Sequence, residues 1–240
     1  MSSHPEIYYY TGDSLLFAPF QIVGIFAACF TGMFLGTEYS DGTLRNKLIV
    51  GLSRRDVYLS NLILSFCASL IVNGIAILVV GVTGSILLGP IAMSQIQILQ
   101  SLGIGIFMLA AFAGIFTLIS MLIPSKSAGS VACILGFFLL LIAAVTIDSR
   151  LNAEEFISPG YVITVDGVEQ IGDLYPNPMY LQGTARTVFE FFLELLPTGQ
   201  GNMLTAHDTE HPLRMMLCSL GITVCTTVSG IRRFQRKNLK

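Results

Sequence analysis

The chain has 240 residues, of which 53% are hydrophobic and only 12% charged, and its mean hydropathy is +0.72. A soluble domain carries about 25% charged residues, so a water-facing globular protein is excluded. The net charge of −2 indicates neither a nucleic-acid groove nor an acidic-substrate site, and all five cysteines lie in apolar runs, which predicts no disulfide framework.

Long uncharged runs predict the membrane-spanning helices, because one crossing of a bilayer needs about 20 apolar residues. We place five spans, at residues 15–36, 61–88, 98–123, 127–147 and 213–231. The second and third spans are separated by a Gly-Pro pair, since proline breaks a helix. The expected fold is an all-α polytopic membrane protein that forms one membrane domain over residues 1–240.

The distribution of basic residues predicts how the spans point. If the segment 37–60, the short connection that ends in Lys126 and the basic tail 232–240 are cytoplasmic, ten of the 13 Lys and Arg residues lie on the cytoplasmic side. The tail 1–14 and the acidic region 148–212 are then external, and the orientation is N-out and C-in. Residues 1–14 contain no Lys or Arg, so no cleavable signal peptide is expected.

Few polar groups lie inside the predicted spans. No Asp, Glu, Lys, Arg or His lies well inside a span, which argues against a proton relay. Asn73 lies in the middle of the second span, where we expect a hydrogen bond to a neighbouring helix, with a substrate contact as the alternative. The pair Gly32 and Gly36 favours close packing within one bundle over a seam between two copies.

The cytoplasmic segment 37–60 predicts two helices. Ser40 or Asp41 is expected to cap a short helix over about 41–50, and Ser53 is expected to cap a second helix that continues into the next span.

The short helix is expected to be amphipathic. Leu44, Leu48 and Ile49 form an apolar patch, while Arg45 and Lys47 point elsewhere. The pattern suits a basic helix on the membrane surface, and equally a helix that docks in a groove of a cytoplasmic partner.

The residues of this segment also carry a family resemblance. They are Glu38, Tyr39, Gly42, Thr43, Leu44, Arg45, Lys47 and Leu48, then Ser53 and Arg54, and then residues 58–61. In this order they resemble the first intracellular loop of ABC-2-type transporter permeases, and most closely the small bacterial permeases associated with peptide-antibiotic export and immunity. The resemblance implies that the short helix couples to a cleft in a separate ATPase subunit. The coupling residues that it implies are Glu38, Tyr39, Gly42, Thr43, Leu44, Arg45, Lys47, Ser53 and Arg54.

A second stretch lies in the external region. Pro176, Asn177, Pro178, Gly183, Arg186 and residues 196–200 resemble the segment before the last span of such permeases, where re-entrant helices occur in the family. Permeases of this family usually have six spans, and residues 15–36 resemble the second. We therefore expect either a shortened member or a truncated start.

The resemblance also implies partners. It implies two permease subunits, identical or related, with a dimer of ABC ATPase subunits in a bacterial cell membrane. The 240 residues contain no G-x-x-x-x-G-K-[ST] run, so we expect ATP and Mg to bind the partner ATPase, and no cofactor, metal or catalytic residue in this chain.

The external region 148–212 contains two local signals. Asp166-Gly167 between short β-prone runs predicts a hairpin. Residues 185–196 predict an interfacial helix with Arg186, Glu190 and Glu194 on an exposed stripe. Its opposite face and the turn expected after it at residues 196–200 are predicted to form an external lid rather than a direct substrate surface. The lid residues are Phe189, Phe192, Pro197 and Gly199.

One pattern is typical of an enzyme. His207-Asp-Thr-Glu-His211 matches H-x-x-E-H, in which two histidines one helical turn apart hold zinc. A catalytic zinc site needs a third protein ligand, and residues 212–240 contain no Asp, Glu or His. A membrane hydrolase is therefore disfavoured.

The combined prediction is the permease subunit of an ABC exporter that moves an amphipathic substrate such as an antibiotic peptide. The alternative is a non-transporting membrane immunity or sensor protein that binds such a peptide at its external region.

Overall fold

The computed structural model describes residue 13, residues 15–157 and 174–237, and the backbone of residues 162–165 and 168–171. Its helices are α1 (Pro19–Ser40), α2 (Thr43–Ile49), α3 (Arg54–Leu87), α4 (Gln95–Leu122), α5 (Lys126–Leu151), α6 (Gly183–Leu195), α7 (Pro197–Thr205) and α8 (Pro212–Arg236). Its strands are β1 (Phe156–Ile157), β2 (Val162–Val165), β3 (Val168–Ile171) and β4 (Tyr175–Pro176).

Five of these helices, α1, α3, α4, α5 and α8, are long and apolar enough to cross a membrane. Each overlaps one of the five spans predicted from the sequence. The prediction of an all-α polytopic membrane protein is confirmed. Their orientation across the bilayer stays a prediction.

Two spans extend into the segment that was expected to be a separate cytoplasmic region. Helix α1 continues to Ser40, so Glu38 and Tyr39 lie on its last turn. The predicted cap of α2 by Ser40 or Asp41 is wrong, because the residue before α2 is Gly42, whose φ of 69° is left-handed and favours glycine. Ser53 does cap α3, since its Oγ accepts a hydrogen bond of 3.1 Å from the backbone N–H of Asp56.

Helix α4 is the centre of the bundle and packs against α1, α3, α5, α7 and α8. Its contact with α1 requires glycine at position 105, because a Cβ there would lie 2.0 Å from the Phe20 ring. The buried core around this contact includes Phe112, Phe116 and Phe137. Close helix contact through small residues is the usual way in which membrane helices associate.

Gly32 and Gly36 on α1 allow helix α5 to pack closely against α1. A Cβ on Gly32 would lie 2.8 Å from Ser130 Cα, and one on Gly36 would lie 2.8 Å from Lys126 Cα. The prediction that these glycines serve packing within one bundle is confirmed.

Short strands and two helices connect α5 to α8. Strands β2 and β3 form the predicted antiparallel hairpin, while Asp166-Gly167 between them lies outside the described residues. The turn predicted at residues 196–200 is wrong. The chain leaves helical geometry only at Leu196, and α7 begins at Pro197, because proline fits the first position of a helix.

Candidate functional site: a short helix between two spans and an opposite polar cluster

The short helix α2 is held against the ends of α1 and α3 by its inward face. Leu44 is buried in a cluster with Leu35, Tyr58, Met121 and Phe234, which come from α1, α3, α4 and α8. The expected apolar patch is therefore divided. Leu44 and Leu48 pack inward, whereas Ile49 is 71% exposed and points away from the bundle.

A buried carboxylate fastens the same three helices. Glu38 on α1 forms an ion pair with Lys47 on α2 and accepts a hydrogen bond of 3.1 Å from Asn61 Nδ2 on α3. Glu38 and Asn61 are both buried, so their hydrogen bond is shielded from water. The cluster ties α2 to two spans at once.

The end of α8 is fixed at the same side of the bundle. Lys237 Nζ donates to Tyr39 Oη at 3.0 Å and to two carbonyl oxygens at the end of α4, Met121 O at 2.9 Å and Leu122 O at 3.1 Å. A cation is favoured there, because the last carbonyls of a helix are unpaired and carry partial negative charge. Burial lowers the pKa of Lys237.

Arg54 makes the second contact with α8. Its Nη1 donates to Phe234 O at 2.9 Å and also to Lys237 O, while its guanidinium lies 6.0 Å from the centre of the Phe234 ring. Arg54 is the first residue of α3, which follows α2 after a short connection. Arg54 therefore joins the start of α3, just after α2, to the end of α8.

The structure sorts the predicted coupling residues into two groups. Glu38, Tyr39, Leu44, Lys47 and Arg54 contact other parts of this chain. Thr43, Arg45 and Ser53 are exposed, and Gly42 has no atom near the position of a Cβ. The role of all nine in coupling stays a prediction.

Sequence reasoning missed an exposed apolar surface beside α2. Val50 is 85% exposed and Leu52 is 50% exposed, next to Ile49 and Arg45. These four residues are called the coupling tip below. The signal was present as consecutive apolar residues around Gly51, outside the motif that suggested the family.

A buried polar cluster lies toward the opposite end of α8. Gln200 on α7 is fully buried, and its Nε2 donates to Glu194 O at 2.7 Å and to Met215 O at 2.9 Å. Its Oε1 accepts from Ser219 Oγ at 2.8 Å. The cluster joins α6, α7 and α8, and Thr198 adds α5 through a bond of 2.7 Å to Leu140 O.

The acidic stripe predicted on α6 is only partly exposed. Arg186 and Glu190 form an exposed pair at 3.0 Å, as expected. Glu194 is buried, and the Arg214 guanidinium binds both of its carboxylate oxygens. Its predicted exposure is wrong, because α8 passes over the last turn of α6.

The predicted lid residues do not share one surface. Phe189 is half-buried and packs on a cluster that contains Ala144, Leu151 and Leu193. Phe192 is exposed, and Pro197 and Gly199 are buried inside the bundle. The role of this segment as a lid stays a prediction.

A polar cavity of about 320 Å³ opens between α5, α6, α7 and α8. Carboxylates line much of it, with the two arginines of the α6 and α8 ion pairs. The acidic residues are Asp148, Glu190, Glu194, Asp208 and Glu210. Burial and then the neighbouring carboxylates raise the pKa of Asp208.

The histidine motif does not form a metal site in the part of the chain described. His207 lies in a left-handed backbone conformation after α7, and His211 directly precedes α8, so the two do not share a helix. Among the described residues no three His, Cys, Asp or Glu side chains are grouped so as to hold a metal ion.

One family model matches the chain, that of the ABC-2 family transporter proteins, over residues 2–144. No curated protein and no solved structure matches the chain. The family match covers more than half of the sequence and includes α1 to α4, α2 among them, and most of α5. The chain therefore belongs to the ABC-2 transporter family, and it is a multi-pass membrane protein.

Proposed function

We propose that this ABC-2 family member is the permease subunit of an exporter driven by a separate ATPase, with α2 as its coupling helix. The observation that supports this best is the position of α2 between two spans. Its inward side is fastened by Leu44 and by the Lys47–Glu38 pair, while the coupling tip, Arg45, Ile49, Val50 and Leu52, is exposed. Proteins rarely expose adjacent large apolar residues outside a membrane unless a partner covers them.

The contacts of α8 suggest how a displacement of α2 would be transmitted to the opposite side of the bundle. Helix α8 is about 38 Å long, and one end is bound by Arg54 and the other by Gln200 and Glu194. A partner that binds the coupling tip more tightly in one state of the bundle would bias that state. A shift of α8 would then carry the bias to α6 and α7 on the opposite side.

The assembly proposed has two permease subunits, identical or related, and two ATPase subunits. ATP and Mg would bind to the ATPases, as the family usually requires an ABC ATPase partner. The proposed cargo is amphipathic, with an antibiotic peptide as the leading class. Uncharged spans support this choice, since a small ion would need charged or carbonyl ligands at membrane depth.

The test is affinity purification of the full-length tagged chain from its native membranes, followed by reconstitution in vesicles. We expect an ATPase with a Walker A loop to copurify, and ATP to drive accumulation of an amphipathic peptide in vesicles where the ATPase faces the bath. An associated ATPase without transport of any peptide tested would contradict the cargo class only. Purification without any ATPase would contradict the permease assignment.

A second candidate is a non-transporting immunity or sensor protein. The acidic cavity favours it, because the carboxylates of Asp148, Asp208 and Glu210 suit a cationic peptide. Such a protein would bind peptide with or without ATP. Equal binding in the two conditions, with no ATPase in the complex, would favour this candidate over the permease.

A further inference from the structure

The last turns of α8 carry three exposed arginines, Arg232, Arg233 and Arg236. None of them takes part in an ion pair with any residue that the structure describes. Two basic residues at the same end differ, because Arg54 and Lys237 both donate hydrogen bonds to backbone carbonyl oxygens of this chain. The guanidinium groups of the three arginines are therefore available to a ligand from outside the chain.

Two of these arginines lie on the side of α8 that is turned away from the bundle. The exposed residues Cys225, Ser229, Arg232 and Arg236 follow one another at spacings of four, three and four, which places them on one side of the helix. Phe234, in the same stretch, is buried. Because α8 is a membrane span, this side meets lipid at Cys225, and the two arginines follow about 10 to 17 Å farther along, at the membrane border.

We propose that Arg232 and Arg236 form a binding site for the headgroup phosphate of an anionic phospholipid. Residues four apart on a helix are neighbours, with about 6 Å between their Cβ atoms, so both guanidinium groups reach one phosphate. Guanidinium is weakly hydrated and donates two parallel hydrogen bonds to a phosphate. Residues 232–240 contain five Lys and Arg and no Asp or Glu, and such a cluster directly after a span attracts anionic lipid.

An anionic lipid suits this side of α8 better than a protein partner. In a two-fold interface centred here, the arginines of one copy would meet those of the other, and like charges repel. An ATPase is proposed to bind the coupling tip, which lies on α2 and its connection to α3, whereas the arginines continue the lipid-facing side of a span. The lipid site therefore does not depend on the permease assignment.

The experiment uses the full-length chain in phosphatidylcholine nanodiscs that contain one of two photoactivatable probes. One probe is phosphatidylglycerol, which has a net negative charge, and the other is phosphatidylcholine, which has the same phosphate but no net charge. Both carry a diazirine at the start of one acyl chain, and cross-links are mapped by mass spectrometry. We expect phosphatidylglycerol to label residues 225–236 about five to twenty-five times more, since one basic residue near an anionic surface contributes about fivefold in affinity.

Variants of the two arginines test the assignment. Arg232→Gln and Arg236→Gln should each lower the preference for phosphatidylglycerol about two- to fivefold, and the two changes together should nearly abolish it. The double change to lysine keeps both charges and should keep most of the preference. Lys126→Gln is the matched control, because it also removes one exposed positive charge at this end of the bundle, and it should leave labelling of residues 225–236 unchanged.

Four results would overturn the proposal. The first is equal labelling of the wild-type chain by the two probes, and the second is an equal loss of preference in the lysine and glutamine double variants. The third is displacement of the phosphatidylglycerol probe by millimolar inorganic phosphate but not by excess unlabelled phosphatidylglycerol, which would assign the arginines to a soluble anion. The fourth is a preference that survives the double change to glutamine. Loss of copurified ATPase in that case would assign the arginines to a protein partner.

Discussion

Asn61 on α3 donates a hydrogen bond of 3.1 Å to the Glu38 carboxylate on α1, and Lys47 on α2 binds the other oxygen of the same carboxylate. One buried side chain thus holds α2 to both spans that flank it. Residues near the end of a span are normally solvated, but Glu38 is covered by α2. The bond is the structural basis for treating α2 as part of the bundle rather than as a loose loop.

Glu38→Ala should destabilise the chain by about 2 kcal/mol, because it leaves the buried amide of Asn61 without an acceptor. Thermal unfolding in detergent, followed by circular dichroism, measures the change. Asn46→Ala is the control, since Asn46 is exposed on α2 and should change stability by no more than about 0.5 kcal/mol. Equal effects of the two changes would show that Glu38 does not hold α2.

Gly199→Ala should be strongly destabilising. A Cβ at this position would lie 2.1 Å from Leu193 O, and backbone cannot move aside as a flexible side chain can. Gly221→Ala is the matched control in α8, where nothing lies within 4 Å of the new atom, and it should stabilise the helix by up to about 1 kcal/mol. Purified yield and unfolding temperature measure both. A tolerated Gly199→Ala would contradict the packing of α6 on α7.

Glu194→Ala should cost about 2 to 3 kcal/mol. Removing one partner of a buried ion pair usually costs about 3 to 5 kcal/mol, and the lower figure applies because Arg214 is 41% exposed and can regain water. Glu190→Ala removes the exposed pair with Arg186 and should cost no more than about 1 kcal/mol. Unfolding temperatures in detergent compare the two variants. The same loss in both would mean that Glu194 is solvated, as the sequence pattern suggested.

Asp208 should make stability depend on pH. Burial and then the carboxylates of Glu210, Glu194, Asp148 and Glu190 raise its pKa above the ordinary 3.8. Between 3.8 and the raised value, the folded chain binds more protons than the unfolded chain. Stability therefore falls as pH rises through this window.

Asp208→Asn removes that titration, so the variant should unfold at a higher temperature than the wild type at neutral pH. The difference should disappear below the ordinary pKa, where Asp208 is neutral in both states. Asp41→Asn on the opposite end is the control for a general change of surface charge. A variant less stable than the wild type at neutral pH would indicate that ionised Asp208 has a favourable partner.

The sequence predicted those features that depend on short stretches of chain. The five spans follow from uncharged runs, which record the solvent around each segment. The Ser53 cap and the β2–β3 hairpin follow from residues that are close in sequence. Such features need no knowledge of which helices are neighbours.

The polar contacts between helices could not be predicted in the same way. The stripe of Arg186, Glu190 and Glu194 is correct as helical geometry, but it cannot show that α8 covers Glu194 and brings Arg214 to it. The sequence predicts a turn at Gln200, whereas the structure places it in α7. Its buried side chain bonds to α6 and α8 there, and the sequence pattern does not show which helices are its neighbours. Asn73 Oδ1 is buried without a hydrogen-bond partner among the described residues, whereas the sequence predicts a bond to a neighbouring helix.

The most direct test of the account is how much ATPase copurifies with a variant of the coupling tip. Val50→Asp places a charge on the most exposed of its apolar residues and touches no buried contact, so the chain should insert and fold normally. Leu174→Asp is the matched control, as an exposed apolar residue in the connection between α5 and α6. We predict at least a tenfold loss of copurified ATPase for Val50→Asp and none for Leu174→Asp. Undiminished ATPase with Val50→Asp, or an equal loss in both variants, would contradict the assignment of α2 as the coupling helix.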